Sequence, residues 1–301
     1  MNRSYRPPLT FSLLAFPVVL GLVLFNGLLQ AQEPVDDREL REYFSEKLEE
    51  MIADKKVVNP AKLWDQIEER TNGAPVKISL ANSATTELSR AGLYKRCDDS
   101  VVLVGKFYKC GHCPKWHISI AGAAAITRNG LFVTNHHVLE RDDREVGAIG
   151  IMTRDRRVFS VSEILAANIE DDLAVFRVKG ARVRPLPLGA NPDVGETVHA
   201  IHHPGGRLFT YTEGVVSRHF ISREEEHQRA HRMAVTADYA RGSSGAPILD
   251  ARGNLVGLIS STNTLGYPNK NEKVKGEITQ MVVKSTIPVS SLYKLLGVPV
   301  P

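Results

Sequence analysis

The sequence predicts an all-β fold of two antiparallel six-stranded-type β-barrels, preceded by an α-helical N-terminal extension. Short apolar, β-prone runs recur along the second two-thirds of the chain, at 101–104, 118–126, 131–134, 158–161, 173–178, 197–201, 213–217, 233–236, 255–260 and 280–283. Turn signals such as Arg128-Asn-Gly130, His203-Pro-Gly-Gly206 and Arg252-Gly-Asn254 separate them. So many short strands in about 210 residues suit two antiparallel barrels with a site between them. Upstream, the apolar spacing is helical instead. With 43% hydrophobic and 24% charged residues the chain can bury a full core, which excludes a disordered class.

Residues 1–31 have the form of a signal peptide. Arg3 and Arg6 precede an uncharged stretch from Leu9 to Leu29, and Ala31 offers a small residue for cleavage. The stretch is 21 residues long, enough to span a bilayer, so an anchor formed by residues 9–29 is the alternative. Pro17, Gly21 and Asn26 weaken that alternative. Either way the chain is expected to be exported, periplasmic or secreted. Residues 32–90 form a helical region. Leu40, Tyr43, Phe44, Leu48, Met51 and Ile52 make one apolar stripe. Asn59-Pro60 is an N-cap and first-turn pair opening a second helix with Leu63, Trp64 and Ile67. Residues 33–73 carry a net charge of −5 and residues 74–301 a net of +7, so the arm is electrostatically suited to dock on the body. The stripe needs a partner surface: the barrel, another subunit, or none if the arm is a removable propiece. Residues 91–301 form the β-rich domain, with a closing turn and short helix at 288–296.

Three segments of that domain carry chemistry. Thr134-Asn-His-His-Val138 follows a short strand, Asp172 precedes the strand Leu-Ala-Val-Phe-Arg-Val178, and Ser244 sits in Arg241-Gly-Ser-Ser-Gly-Ala-Pro247. A serine hydroxyl becomes nucleophilic when an imidazole accepts its proton, and a carboxylate holds that imidazole in the right tautomer. Gly242 and Gly245 permit the tight turn that exposes a nucleophile. His136 and His137 are both candidates for the base.

These segments resemble the trypsin-like peptidases, most closely the bacterial HtrA/DegP-type and glutamyl-endopeptidase-type branches, whose motifs Thr-Asn-x-His-Val, Asp-Leu-Ala-Val and Gly-x-Ser-Gly-x-Pro occur in this order. The resemblance runs from about residue 93 to 296 and takes in Glu213-Gly-Val-Val-Ser217. It implies a chymotrypsin-like fold and a serine endopeptidase working through an acyl-enzyme. His137 would be general base and acid, Asp172 its orienting carboxylate and Ser244 the nucleophile, with the Gly242 and Ser244 amides as oxyanion hole. Asp171 and Glu170 are then expected to be solvated neighbours, and Ser243 a turn residue. Asp238 stands six residues before the nucleophile, where trypsin carries the aspartate of its specificity pocket, and would favour basic substrate residues; a structural role is the alternative. Residues 257–262 resemble the strand that pairs with substrate, with Ser260 and Thr262 as contacts. Only 57 residues follow Ser244, too few for a PDZ domain after the second barrel. Partners are protein or peptide substrates, without nucleic acid, and with self-association as one use for the helical stripe. The rival reading is a catalytically silent binding, scaffold or chaperone-like protein on the same barrels.

Cys97, Cys110 and Cys113 precede the second strand. In an exported chain a disulfide from Cys97 to Cys110 or Cys113, leaving one free thiol, is expected, and no cofactor. With His117 the three cysteines also make a Cys₃His set with Cys-x₂-Cys-x₃-His spacing suited to structural zinc. Cys110-Gly-His-Cys113 matches a redox motif but lacks its βαβ context. His112 reads as a solvated loop residue. His227 and His231 have zincin spacing, but Gln228 stands where that motif needs glutamate, so 223–232 reads as a charged surface loop. His202 and His203 read as neutral turn residues.

Overall fold

In the computed structural model, residues 1, 34–71, 78–223, 229–268 and 277–300 are described. Met1–Pro34 forms a unit separate from Val35–Pro301, and all helices and strands among the described residues belong to the second unit. The signal or anchor segment lies outside the described residues. Among the described residues no helix is long and apolar enough to cross a membrane.

Helix α1 (Asp37–Ala53) starts at Asp36, whose carboxylate accepts from the Glu39 amide. Helix α2 (Pro60–Arg70) starts at Asn59, capped through the Ala61 amide. After α3 (Arg90–Cys97) and a short 3₁₀ turn come β1 (Val101–Lys109), β2 (Trp116–Ala125), β3 (Leu131–Thr134), the single-turn helix α4 (His136–Leu139), β4 (Glu145–Met152), β5 (Val158–Ser160), β6 (Glu163–Asn168) and β7 (Leu173–Arg177). The second half runs β8 (Thr197–His202), β9 (Thr210–Ile221), β10 (His231–Val235), β11 (Pro247–Leu249), β12 (Leu255–Pro268), β13 (Glu277–Pro288) and α5 (Val289–Leu296).

The fold class is the expected one: mostly β, in two antiparallel systems. The second is a closed six-stranded barrel in the order β10-β13-β12-β11-β8-β9. The first departs from expectation. It is a seven-stranded sheet, β5-β4-β1-β2-β3-β7-β6, curled into a half-barrel whose edge strands do not pair. Helix α2 supplies the reason. Its Gln66 side chain accepts from the Ile164 amide of β6 at 2.8 Å, Arg70 donates to the Ile164 carbonyl, and Thr71 bridges to Ala167. The backbone groups that would close the barrel are thus satisfied by the helix, which also covers an edge open to other strands. Leu63 and Ile67 of α2 join Val102, Phe132, Ile151 and Phe176 in the core of this half.

Strands β4, β6 and β11 were not among the expected runs. β4 contains Gly147 and Gly150, which lower β-propensity. β6, Glu-Ile-Leu-Ala-Ala-Asn, has no strand alternation, and β11 is three residues long. The glycines of β4 are a packing device. A Cβ at Gly150 would lie 2.6 Å from Leu48, and one at Gly105 of β1 2.8 Å from Phe44. The apolar stripe of α1 therefore lies on the outer face of β1 and β4, with Leu40, Phe44 and Leu48 buried beside Leu103, Phe107 and Met152. That face is spent within the chain and is not free for another copy. Helix α3 spans the expected boundary at 90/91, so the arm and the β-rich body are continuous. Phe44→Ala is expected to destabilise the fold by about 3–5 kcal/mol, because a fully buried ring is lost from a tight groove. Urea unfolding with an unchanged m-value checks this.

Candidate active site

Asp172 lies at the turn into β7 with φ +57, a left-handed conformation that few non-glycine residues adopt and that aspartate tolerates better than most. The turn is held from the other side: the His136 amide and the Asn135 side chain both donate to the Asp172 carbonyl, at 3.1 and 3.3 Å. The carboxylate is 2% exposed and collects donors. His137 Nδ1 lies 3.0 Å from both oxygens, the His137 amide donates at 3.1 Å, and the Ser260 hydroxyl of β12 donates at 2.9 Å. Burial pushes the Asp172 carboxyl up, but the His137 and Ser260 donors outweigh it and hold it below the usual range. Burial lowers the His137 imidazole, yet the hydrogen bond and charge of Asp172 leave it above its ordinary 6.5. Nδ1–H donation to the carboxylate leaves Nε2 as the basic nitrogen. His136, at the same helix start, is buried, with its Nδ1 3.9 Å from the Glu140 carboxylate.

Ser244 belongs to a turn stitched to both halves. The Gly122 amide of β2 donates to the Ser244 carbonyl at 2.8 Å, and the Gly245 amide donates to Ile259 of β12 at 2.9 Å. The turn has no room for side chains at its glycines. Gly245 has φ +77, and a Cβ there would meet Thr134 Oγ1 at 2.0 Å; Gly242 has φ +95, with the His203 carbonyl 2.8 Å from its would-be Cβ. Among the described residues, the amides of Gly242 and Ser244 donate to no protein acceptor. His137, Gly242 and Ser244 line one cleft of about 600 Å³, together with Lys106, Tyr108 and Arg41. The Ser244 hydroxyl points to the Ser260 carbonyl at 3.4 Å rather than to His137.

Residues 122–258 match the family model described as trypsin-like peptidase domain. The chain carries a trypsin-like peptidase domain. Protease Do-like 1, chloroplastic, of Arabidopsis thaliana is 29% identical over 169 residues, 52% of this chain and 37% of the relative. A probable periplasmic serine endoprotease DegP-like of Hahella chejuensis is 31% identical over 143 residues, 46% of this chain and 29% of the relative. Serine endoprotease DegS of Escherichia coli K12 is 26% identical over 157 residues, 51% and 42%. The chain thus spans about half or less of the length of these curated relatives. Among solved structures, the HtrA-type protease AlgW with decapeptide superposes with a TM-score of 0.56 at 21% identity, covering 70% of this chain and 67% of that one, a likeness of fold.

Within this trypsin-like domain several expected residues are placed differently. The Asp238 side chain is 86% exposed and pairs with Lys284 at 2.7 Å, so it does not floor a pocket. The next residue, Tyr239, turns inward instead, into the core of the second barrel, with its hydroxyl 2.7 Å from the Ser285 carbonyl. Asp238 therefore presents no pocket-floor carboxylate that would select basic residues, contrary to expectation. Ser260 is tied to Asp172, while Thr262 is exposed on β12, paired with Lys284 of β13. Asp171 is not solvated: it is 7% exposed and accepts from Ser291 of α5. Glu170 is exposed. His227 falls outside the described residues, whereas His231 begins β10 with its Nε2 3.2 Å from His219.

The cysteine expectations also change. Cys97 is buried in α3 beside the Gly253 carbonyl, where burial pushes its thiol up to about 12. Cys110 and Cys113 lie past the far end of the nine-residue β1. That strand separates them from Cys97 by about 30 Å, far beyond disulfide reach. Neither the Cys97 disulfide nor the four-ligand Cys₃His set can form. Sequence reasoning missed Lys106, which donates to the Glu140 carbonyl, and Arg41, which α1 brings to the cleft; no motif marks either.

Ser243, His202 at the end of β8 and His203 just after it support the Ser244 turn from below. The Ser243 hydroxyl donates to His202 Nδ1 at 2.8 Å, and His202 Nε2–H donates to Thr212, whose hydroxyl donates to the Asp238 carbonyl. The Phe209 amide donates to His203 Nδ1 at 3.0 Å. This network requires neutral imidazoles, and burial lowers His202 to about 4 and His203 to about 3. Both values lie below the ordinary 6.5, so the unfolded chain binds more protons between those limits. Stability is expected to be full above pH 6.5 and to fall as pH drops from there toward 4. Urea midpoints measured across that range check it, and His202→Gln should flatten part of the slope. For the candidate triad, the acid limb of active-site labelling should have its midpoint above 6.5, since only neutral His137 is a base. Asp172→Asn should cut the rate by about 10⁴-fold and move that limb down, read from labelling rate against pH.

Proposed function

We propose that this chain is an exported serine endopeptidase of the HtrA/DegP kind, with Ser244 as nucleophile, His137 as general base and acid, and Asp172 orienting it. The observation that carries this reading is the His137 Nδ1–Asp172 bond, 3.0 Å to each oxygen, in one cleft with Ser244 and two amides that have no acceptor among the described residues. His137 Nε2 takes the Ser244 proton as Oγ attacks the substrate carbonyl. The Gly242 and Ser244 amides then hold the developing oxyanion, each worth about 3 kcal/mol by analogy with measured donors. The imidazolium, stabilised by the buried Asp172 carboxylate, protonates the leaving amine, and water repeats the sequence on the acyl-enzyme.

A peptide substrate has a backbone to pair with. β12 is bonded to β13 on one side, while β11 reaches only to Leu258 on the other. The edge of β12 at 260–262 thus runs beside Ser244 without a partner strand among the described residues, and suits strand addition by a peptide. One solved neighbour is an HtrA-type protease with decapeptide, which supports the same substrate class. Export rests on the leader-like residues 1–31 and on a relative described as periplasmic.

One observation favours the silent-scaffold alternative: the Ser244 hydroxyl faces Ser260 rather than His137. A fluorophosphonate probe separates the two, because only an activated serine is labelled. The wild type is expected to be labelled and Ser244→Ala not at all, with its fold intact. Ser243→Ala should keep the label while losing about 1–3 kcal/mol of stability, as His202 is left without its donor. Labelling that survives Ser244→Ala sinks the assignment, and an unlabelled wild type leaves the scaffold reading.

A further inference from the structure

The hairpin formed by β1 and β2 ends in a cluster that peptide hydrolysis does not use. β1 delivers Cys110, the turn through Gly111 at φ +75 brings back Cys113, and His117 stands on β2 opposite Tyr108. Cys110 Sγ lies 3.5 Å from Cys113 Sγ, and Cys113 Sγ lies 3.1 Å from His117 Nε2. The three ligand atoms all fall within 4.8 Å of one another. A tetrahedral zinc ion with its usual bond lengths sets two thiolates about 3.8 Å apart and a thiolate and imidazole about 3.6 Å apart. Two of the three pairs already match to within about 0.5 Å, and the third closes with a shift of about 1 Å at an exposed turn.

We propose that Cys110, Cys113 and His117 form a zinc site at the tip of this hairpin, with the fourth position open to water. Two sulfurs and an imidazole nitrogen are the donor set of zinc and not of magnesium or calcium, which take oxygen. Both thiols lose their protons to solvent as the metal binds, and the two thiolates cancel its charge. His117 decides between a metal and a simple Cys110–Cys113 disulfide. A disulfide has no use for an imidazole nitrogen held against Cys113, whereas a metal uses all three atoms. Cys97 takes no part. The site clips together the two strands that present Tyr108, Ile118 and Ser119 to the cleft beside Ser244, so loading stiffens one wall of that cleft.

The test needs no peptidase activity and is independent of the catalytic reading. The full chain, reduced and stripped with a chelator, is titrated with Co²⁺ and then Zn²⁺. About one cobalt per chain is expected, with a thiolate charge-transfer band and tetrahedral d–d bands that zinc abolishes. Cys110→Ser and His117→Ala should reduce uptake to background. Cys97→Ser should leave it unchanged, and His117→Cys should restore it, with circular dichroism showing that each variant is folded. No uptake by the reduced wild type overturns the proposal, as does uptake that survives Cys110→Ser or disappears in Cys97→Ser.

Discussion

A buried carboxylate must be surrounded by donors or it will not stay charged, and Asp172 meets that demand by drawing on both halves of the molecule. His137 comes from α4 of the half-barrel and Ser260 from β12 of the closed barrel, each within 3.0 Å of the same group. The charge that orients the imidazole therefore also fixes the two β systems against each other at the cleft. The positive φ of Asp172 fits this: a turn residue in the left-handed region is held where its carbonyl and its carboxylate are both engaged.

The Ser244 turn obeys a second constraint, lack of space. Gly242 and Gly245 sit against the His203 carbonyl and Thr134 Oγ1, so the turn is clamped between β3 and the segment that follows β8. Such rigidity suits the proposed oxyanion role, because amides that hold an oxyanion act best when they need not reorganise. Beneath the turn, Ser243, His202 and Thr212 form a neutral hydrogen-bonded chain that ends on the Asp238 carbonyl. Asp238 serves through its backbone, while its carboxylate faces Lys284 in solvent.

The helical arm completes the half-barrel. Without Gln66 and Arg70, β6 would present unpaired backbone groups, and without α1 the glycine-lined grooves of β1 and β4 would be open to water. Helix α1 also reaches the cleft that holds Ser244: Asp37 accepts from the Leu208 amide at 2.7 Å, and Arg41 lines the cleft. The arm is thus coupled to the turn that shelters Gly242.

Local patterning determined what local forces control. The apolar period of 40–52, the Asn59-Pro60 cap and the runs of β1, β2, β7 and β8 were legible because each reports which face of its own segment is buried. The triad candidates were legible because turn chemistry confines nucleophile and base to short glycine- and strand-bounded motifs. Other features depend on what lies opposite in space. Asp238 has the right spacing for a pocket floor, but its side chain faces solvent and Tyr239 turns inward, since a strand exit can present either neighbour. Cys97 stands thirteen residues from Cys110 in sequence, yet an extended β1 holds the two apart. Asp171 looked like one more acid in a solvated pair until α5 folded back to cover it with Ser291. The open seam of the half-barrel was equally hidden, because a helix can replace a strand as hydrogen-bond partner without any trace in the strand it caps. Sequence alone determined which residues could do chemistry; tertiary structure decided which were brought together, because burial and hydrogen-bond partnership are set by distant segments.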